Sequence, residues 1–124
     1  MLRKTIKFTD FNGVDQVEEA YFHISEPEVV RLELEIGGIE KVIERWEKNP
    51  EEHAAEVMDL IEKIIKMSYG VKSEDGYRFK KDPETQKRFF ESNAYNTLFM
   101  ELLTDPDGNA IISLFNGILP QTKK

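Results

Sequence analysis

KMSYGVKSEDGYRF, Lys66–Phe79, is the stretch on which the reading of this chain turns. Upstream of it Val57, Ile61, Ile64 and Ile65 recur at helical spacing, with Met58 at the edge of that face. The pattern stops at Tyr69-Gly70. A glycine just past a helix predicts a left-handed C-cap at Gly70, with Val71 folding back over the last turn. Asp75-Gly76 marks a second turn inside a polar loop. Tyr77 and Phe79 alternate around Arg78, which predicts a short extended segment anchored to the core. Downstream, Asp82-Pro83-Glu84 opens a new helix carrying Phe89 and Phe90.

Towards the N-terminus, Asn49-Pro50-Glu51-Glu52 starts the helix that runs into this stretch, with Asn49 as its cap and carboxylates complementing the helix dipole. Before it, Val29, Leu32, Ile36, Ile39, Ile43 and Trp46 form one helical stripe, opened by a Ser25/Glu28 capping box. Gly37-Gly38 interrupts the stripe without shifting its phase. This predicts two nearly collinear helices with a break, the glycines admitting close approach of a neighbouring backbone. Earlier still, Leu2, Ile6 and Phe8 alternate with Arg3, Thr5 and Lys7, and Ala20, Phe22 and Ile24 alternate with Glu19, Tyr21 and His23. Asp10-Phe11-Asn12-Gly13 is a turn signal between them, so the pattern is an antiparallel hairpin with Glu18 and Glu19 facing Lys4 or Lys7.

Towards the C-terminus, Ser92 or Asn93 caps a helix with Tyr95, Leu98, Phe99 and Leu102 on one face. Asp105-Pro106-Asp107 opens a last helix bearing Ile111, Leu114, Phe115 and Ile118, and Leu119-Pro120 ends it. The predicted fold is α+β and mostly α: an N-terminal β-hairpin packed on a compact set of five or six helices. Residues 1–120 are expected to form a single domain, with the hairpin in 1–25, helices in 26–119 and a frayed tail at 121–124.

Composition narrows the function classes. With no cysteine in 124 residues, disulfides, thiolate zinc sites and cysteine nucleophiles are excluded together. The net charge of −7 opposes non-specific nucleic-acid binding, and no apolar run is long enough to span a membrane. Charge is unevenly spread: residues 26–62 hold 12 acidic and 4 basic side chains, whereas 63–91 hold 8 basic and 5 acidic. The halves therefore carry −8 and +3. Asp105, Asp107 and Asn109 fall at alternate positions as in a calcium loop, but Ala110 holds the turn-glycine position and Asn116 the place of the bidentate glutamate. His23 and His53, 30 residues apart in sequence and with no cysteine to join them, do not make a zinc site, and His53 suits an ion pair with Glu56. No serine sits in a nucleophile elbow, and the carboxylate pairs lie on solvated faces. The reading is of a protein that is not an enzyme, with no catalytic, metal-ligating or cofactor-binding residue.

RKTIKFTDFNG, IGGIEKVI, KMSYGVKSEDGYRF and YNTLFMELLTDPDGNAIISLFNGILP, taken in order, resemble the tail assembly chaperones of long-tailed phages and prophages infecting Gram-positive bacteria. Pro106-Asp107-Gly108-Asn109 departs from the resemblance, since an alanine-rich helix start is the family habit. The resemblance implies a protein that binds the tape measure protein, keeps it soluble and helps tail-tube subunits polymerise around it. It also implies work in the host bacterial cytoplasm, absence from the mature virion, and, in many phages, a programmed frameshift near the gene's end. Lys123-Lys124 suits such a slip.

The partners so implied are the tape measure protein and the tail-tube protein, with self-association open and neither nucleic acid nor membrane involved. Candidate partner contacts are the apolar residues left off the main helical stripes: Met100, Leu103, Ile112 and Leu119. Two other classes stay open: a small acidic regulator that binds a host protein, and a structural component of the tail or head.

Overall fold

The computed structural model describes residues 1–105 and 108–119. Two long strands, β1 (Leu2–Thr9) and β2 (Asp15–Phe22), are followed by helices α1 (Glu26–Ile36), α2 (Ile39–Lys48) and α3 (Pro50–Ser68). Two short strands come next, β3 (Tyr69–Lys72) and β4 (Phe79–Lys80), then α4 (Pro83–Phe90), α5 (Asn93–Leu103) and α6 (Asn109–Ile118). The strands form one antiparallel sheet in the order β1-β2-β3-β4. The fold is α+β and mostly α, as the periodicities require.

The hairpin is held by its turn. The Asp10 carboxylate accepts from the Asn12 and Val14 N–H groups (2.9 Å each) and from Gln16 Nε2 (2.8 Å), while Gly13 supplies a positive φ of 81°. The resulting register sets Leu2 opposite Phe22 and Lys4 opposite Ala20. Ile6, Ala20 and Phe22 are buried on the inner face and Ile24 just beyond β2, each large one contributing about 2 kcal/mol by leaving water. The expected cross-strand pairing is corrected by this register. Glu19 accepts from the Thr5 hydroxyl and lies beside Arg3, Glu18 accepts from the Tyr69 hydroxyl, and Lys4 reaches Glu101 on α5.

Local signals hold where cap and helix are neighbours in sequence. The Ser25 hydroxyl accepts from the Glu28 N–H while the Glu28 carboxylate accepts from the Ser25 N–H, completing the capping box. Asp82 caps α4 through the Thr85 N–H, and Ser92, not Asn93, caps α5 through the Tyr95 N–H. Asn49 ends α2 and precedes α3 but its amide donates to Glu52, so its side chain does not cap the helix. His53 does pair with Glu56, at 3.4 Å. The last helix begins at Asn109, where the Asp105 carboxylate accepts from the Ala110 N–H. Pro106 and Asp107, Pro120 and the tail 121–124 lie outside the described residues.

Both glycine readings need correction. Gly37 and Gly38 take φ values of 78° and 110° between α1 and α2, and no neighbouring element lies within 4 Å of the places their Cβ atoms would occupy; only Lys41, in the first turn of α2, comes near. Their role is conformational, and the Glu33 carboxylate accepts the Ile39 N–H that Gly38 cannot cap. Gly70 is the reverse case. It is not left-handed but lies in β3 opposite Tyr21, and a Cβ there would meet the Lys80 carbonyl oxygen at 2.6 Å. Val71 accordingly runs on along β3, half exposed, instead of folding back over α3.

The α2 and α3 faces bury Val42 and Leu60 beside the expected stripes, and one core joins these helices to the sheet and to α4, α5 and α6. Through it runs a chain of rings: Phe22 edge-on to Tyr69 and Phe89, Tyr69 stacked on Phe89 at 4.1 Å, then Tyr95, Phe90 and Phe99. Gln86 Nε2 donates to the Met67 and Tyr69 carbonyls and so fixes α4 to the α3–β3 junction.

Candidate partner-binding surface

The polar loop between β3 and β4 is built on its own hydrogen bonds. Ser73 N–H donates to the Arg78 carbonyl, Ser73 Oγ accepts from the Arg78 N–H, and the Asp75 carboxylate accepts from Ser73 Oγ and the Tyr77 N–H. This arrangement sends Tyr77 outward to 88% exposure, which corrects its expected role as a core anchor; Phe79 alone turns inward, edge-on to His23.

The four predicted contacts occupy different settings. Met100 stands open on α5 at 55% exposure. Leu103 is half-buried at the end of α5, and Ile112 is half-buried on α6. Leu119 is half-buried and packs against the core. Helices α5 and α6 touch, but of the four only Met100 offers an open side chain.

Two grooves have no counterpart in the sequence patterns, because both depend on where α4 settles. The first, about 530 Å³, lies between α1, α3 and α4, with Leu32 and Met67 as apolar floor and Arg31, Lys63 and Lys66 at its rim. Lys63 is engaged by Glu35, and Lys66 sits over the Phe90 ring at 4.6 Å. The second, about 480 Å³, runs under β2 between the inner face of the sheet and α4. Phe8, Tyr69, Val71 and Phe89 line it, with Glu18, Glu84 and Arg88 as charged members. Tyr69 donates to Glu18 at 2.6 Å; burial, and then the Glu18 carboxylate, hold its phenol well above the usual range, so it stays a donor.

A polar knot ties the link before α4 to the end of β2 and the start of α1. Lys81 Nζ donates to the His23 carbonyl (2.8 Å) and to Glu28 (2.7 Å). Burial pushes the Glu28 carboxyl up, but Lys81 and the Ser25 N–H outweigh it and leave the group below its ordinary value. Burial, then the N-terminal ammonium and Lys81, lower the His23 pKa. These are structural contacts around an apolar surface. Among the described residues no three carboxylates or histidines gather where a metal ion would fit, and no helix is long and apolar enough to cross a membrane.

What the surface offers is apolar area. Phe11, Val17, Val30, Leu34, Tyr77 and Met100 are all exposed on a chain of net charge −7. They stand on the β1–β2 turn, β2, α1, the β3–β4 loop and α5. A family model described as phage tail assembly chaperone matches residues 1–123. No curated protein and no solved structure matches the chain.

Proposed function

From membership of the phage tail assembly chaperone family, to which this chain belongs, we propose that its client is the tape measure protein of a long-tailed phage. The chain binds that protein, keeps it soluble and assists tail-tube polymerisation around it. The observation that carries the reading is the family match over nearly the whole chain, and the exposed apolar residues on an acidic surface support it. An extended client with bare apolar stripes aggregates unless another surface covers them. The work is done in the cytoplasm of a Gram-positive host, and the protein is left out of the finished virion. Residues 1–120 act in this as one domain.

Co-expression tests the client. The tape measure protein encoded beside this gene should stay soluble with the chain and co-purify with it; equal insolubility in its presence and absence would sink the assignment. Mass spectrometry of purified particles should find the chain absent. A frameshifted longer product belongs to the same reading, and a gene without a slippery heptamer near the codons for Lys123-Lys124 removes it. Met100, Leu103, Ile112 and Leu119 are proposed client contacts, with Met100 the cleanest probe. Met100→Ser should leave the unfolding free energy from a urea melt within about 0.5 kcal/mol of wild type and weaken client retention. Leu119→Ser should destabilise the fold, because Leu119 packs on the core.

A further inference from the structure

Strand β2 is paired along its whole length on one edge and along only part of it on the other. The Asp10 N–H donates to the Val14 carbonyl, and the β1–β2 register continues from there, so even-numbered residues of β2 turn their backbone groups towards β1. The His23 N–H donates to the Ser68 carbonyl, and Tyr21 pairs with Gly70, so odd-numbered residues face β3. The β2–β3 register ends at Tyr21, while β3 runs on against β4 through Val71 and Lys72. The backbone N–H and C=O groups of Val17 and Glu19 therefore point away from β1, along an edge where β2 makes no ladder pairing among the described residues.

Below this vacant lane lies the groove lined by Phe8, Tyr69, Val71 and Phe89. A strand in the lane would alternate its side chains between that groove and the outer face. On the outer face it would meet Asp15, Val17 and Glu19, and on the inner face Glu18. Strand β2 carries three carboxylates and no basic residue. The partner it already has on its other edge, β1, reads Arg-Lys-Thr-Ile-Lys-Phe from Arg3 to Phe8: basic and β-branched.

We propose that the lane beside Asp15–Glu19 takes a guest strand from the client: an extended segment of about five residues, β-branched, with basic side chains opposite Asp15 and Glu19. Backbone hydrogen bonds to Val17 and Glu19 supply affinity, and the groove and the carboxylates supply the sequence preference. The proposal rests on the chaperone reading only for the identity of the client.

The probe is a fluorescein-labelled peptide, Thr-Lys-Val-Val-Val-Lys-Thr, compared with the same peptide carrying Glu in place of Lys. The lysine peptide should bind the full chain about tenfold or more tightly than the glutamate peptide. Amide hydrogen exchange should then show Val17 and Glu19 slowed by a similar factor, with Glu18 and Ala20 already protected in the free chain. Val17→Pro removes the donor facing the lane and leaves the bonds to β1 in place, so it should abolish peptide binding. The exchange measurement on wild type decides the matter if that variant fails to fold. No binding, or binding that leaves the Val17 and Glu19 amides unprotected, overturns the proposal. So does a free chain of doubled mass in sedimentation with those amides already protected, which would put a second copy in the lane. A chain that keeps the tape measure protein soluble without protecting these amides retains its function and loses the guest strand; the opposite pair of results does the reverse.

Discussion

Two glycine junctions stand at the ends of α1 and α3, and they answer opposite needs. At Gly37-Gly38 the space is open and the backbone is unusual: both residues have positive φ, and no neighbouring element comes within 4 Å of an added methyl group. At Gly70 the backbone is ordinary strand and the space is full, with the Lys80 carbonyl, Lys81 Cγ and the Phe79 ring all within 2.7 Å of where a Cβ would stand. The same residue type thus reports a torsion in one place and a distance in the other. Substitutions separate the two.

Gly70→Val should produce the largest loss, about 3 kcal/mol in a urea melt, because a backbone carbonyl cannot step aside as a flexible side chain can. A loss under about 1 kcal/mol would mean that β4 yields easily, and the contrast between the junctions would collapse. Gly37→Ala should lose about 1 kcal/mol, the usual penalty for a Cβ in left-handed backbone, with no change in packing. Stabilisation by that variant would show that α1 and α2 join into one helix once the glycine is gone.

The Gly70 junction also carries a pH dependence, through the knot of Lys81, Glu28 and His23 beside it. His23 ordinarily titrates near 6.5 and is lowered in the fold, first by burial, so the unfolded chain takes up its proton at the higher pH. Its contribution to stability is complete above 6.5 and is lost as pH falls through the folded value. Glu28 acts in the same sense further down: complete above 4.5 and lost as pH falls through its lowered value. Thermal melts should decline in both windows. His23→Gln should flatten the upper one and Glu28→Gln the lower, while Lys81→Met should disturb both. An unchanged upper window in His23→Gln would remove His23 from this account. The smallest effect belongs to Gly37→Asn, expected within a few tenths of a kcal/mol of wild type because Asn tolerates left-handed backbone.

The same contrast explains what is legible in the sequence. Helix faces and caps are local: Ser25 and Glu28 are three residues apart, and the stripe from Val29 to Trp46 repeats every turn, so each can be read directly. Gly70 misleads because a glycine after a helix has a common local explanation, while its true constraint comes from Lys80, ten residues on. Strand β3 leaves no such signal, and β4 only the brief alternation ending at Phe79, since their pairing rests on four residues, too few to set up a period. Tyr77 alternates with Phe79 as an anchor should, yet the Ser73–Arg78 turn, held by Asp75, rotates it outward. Of the candidate surface, Met100 is legible from its place off the α5 stripe. The two grooves are not, because no spacing in the chain records which elements meet.

The ion pair between Lys4 and Glu101 joins residues 97 positions apart, and Leu2 lies against Gly117 on α6. Strand β1 leaves the ribosome before its packing partners α5 and α6. Its inner face therefore stays unclosed until both helices are made, and closure must follow translation of α6 instead of keeping pace with β1. Trp46, the single tryptophan, touches Gly108 at the start of that helix, so its fluorescence marks the moment of closure.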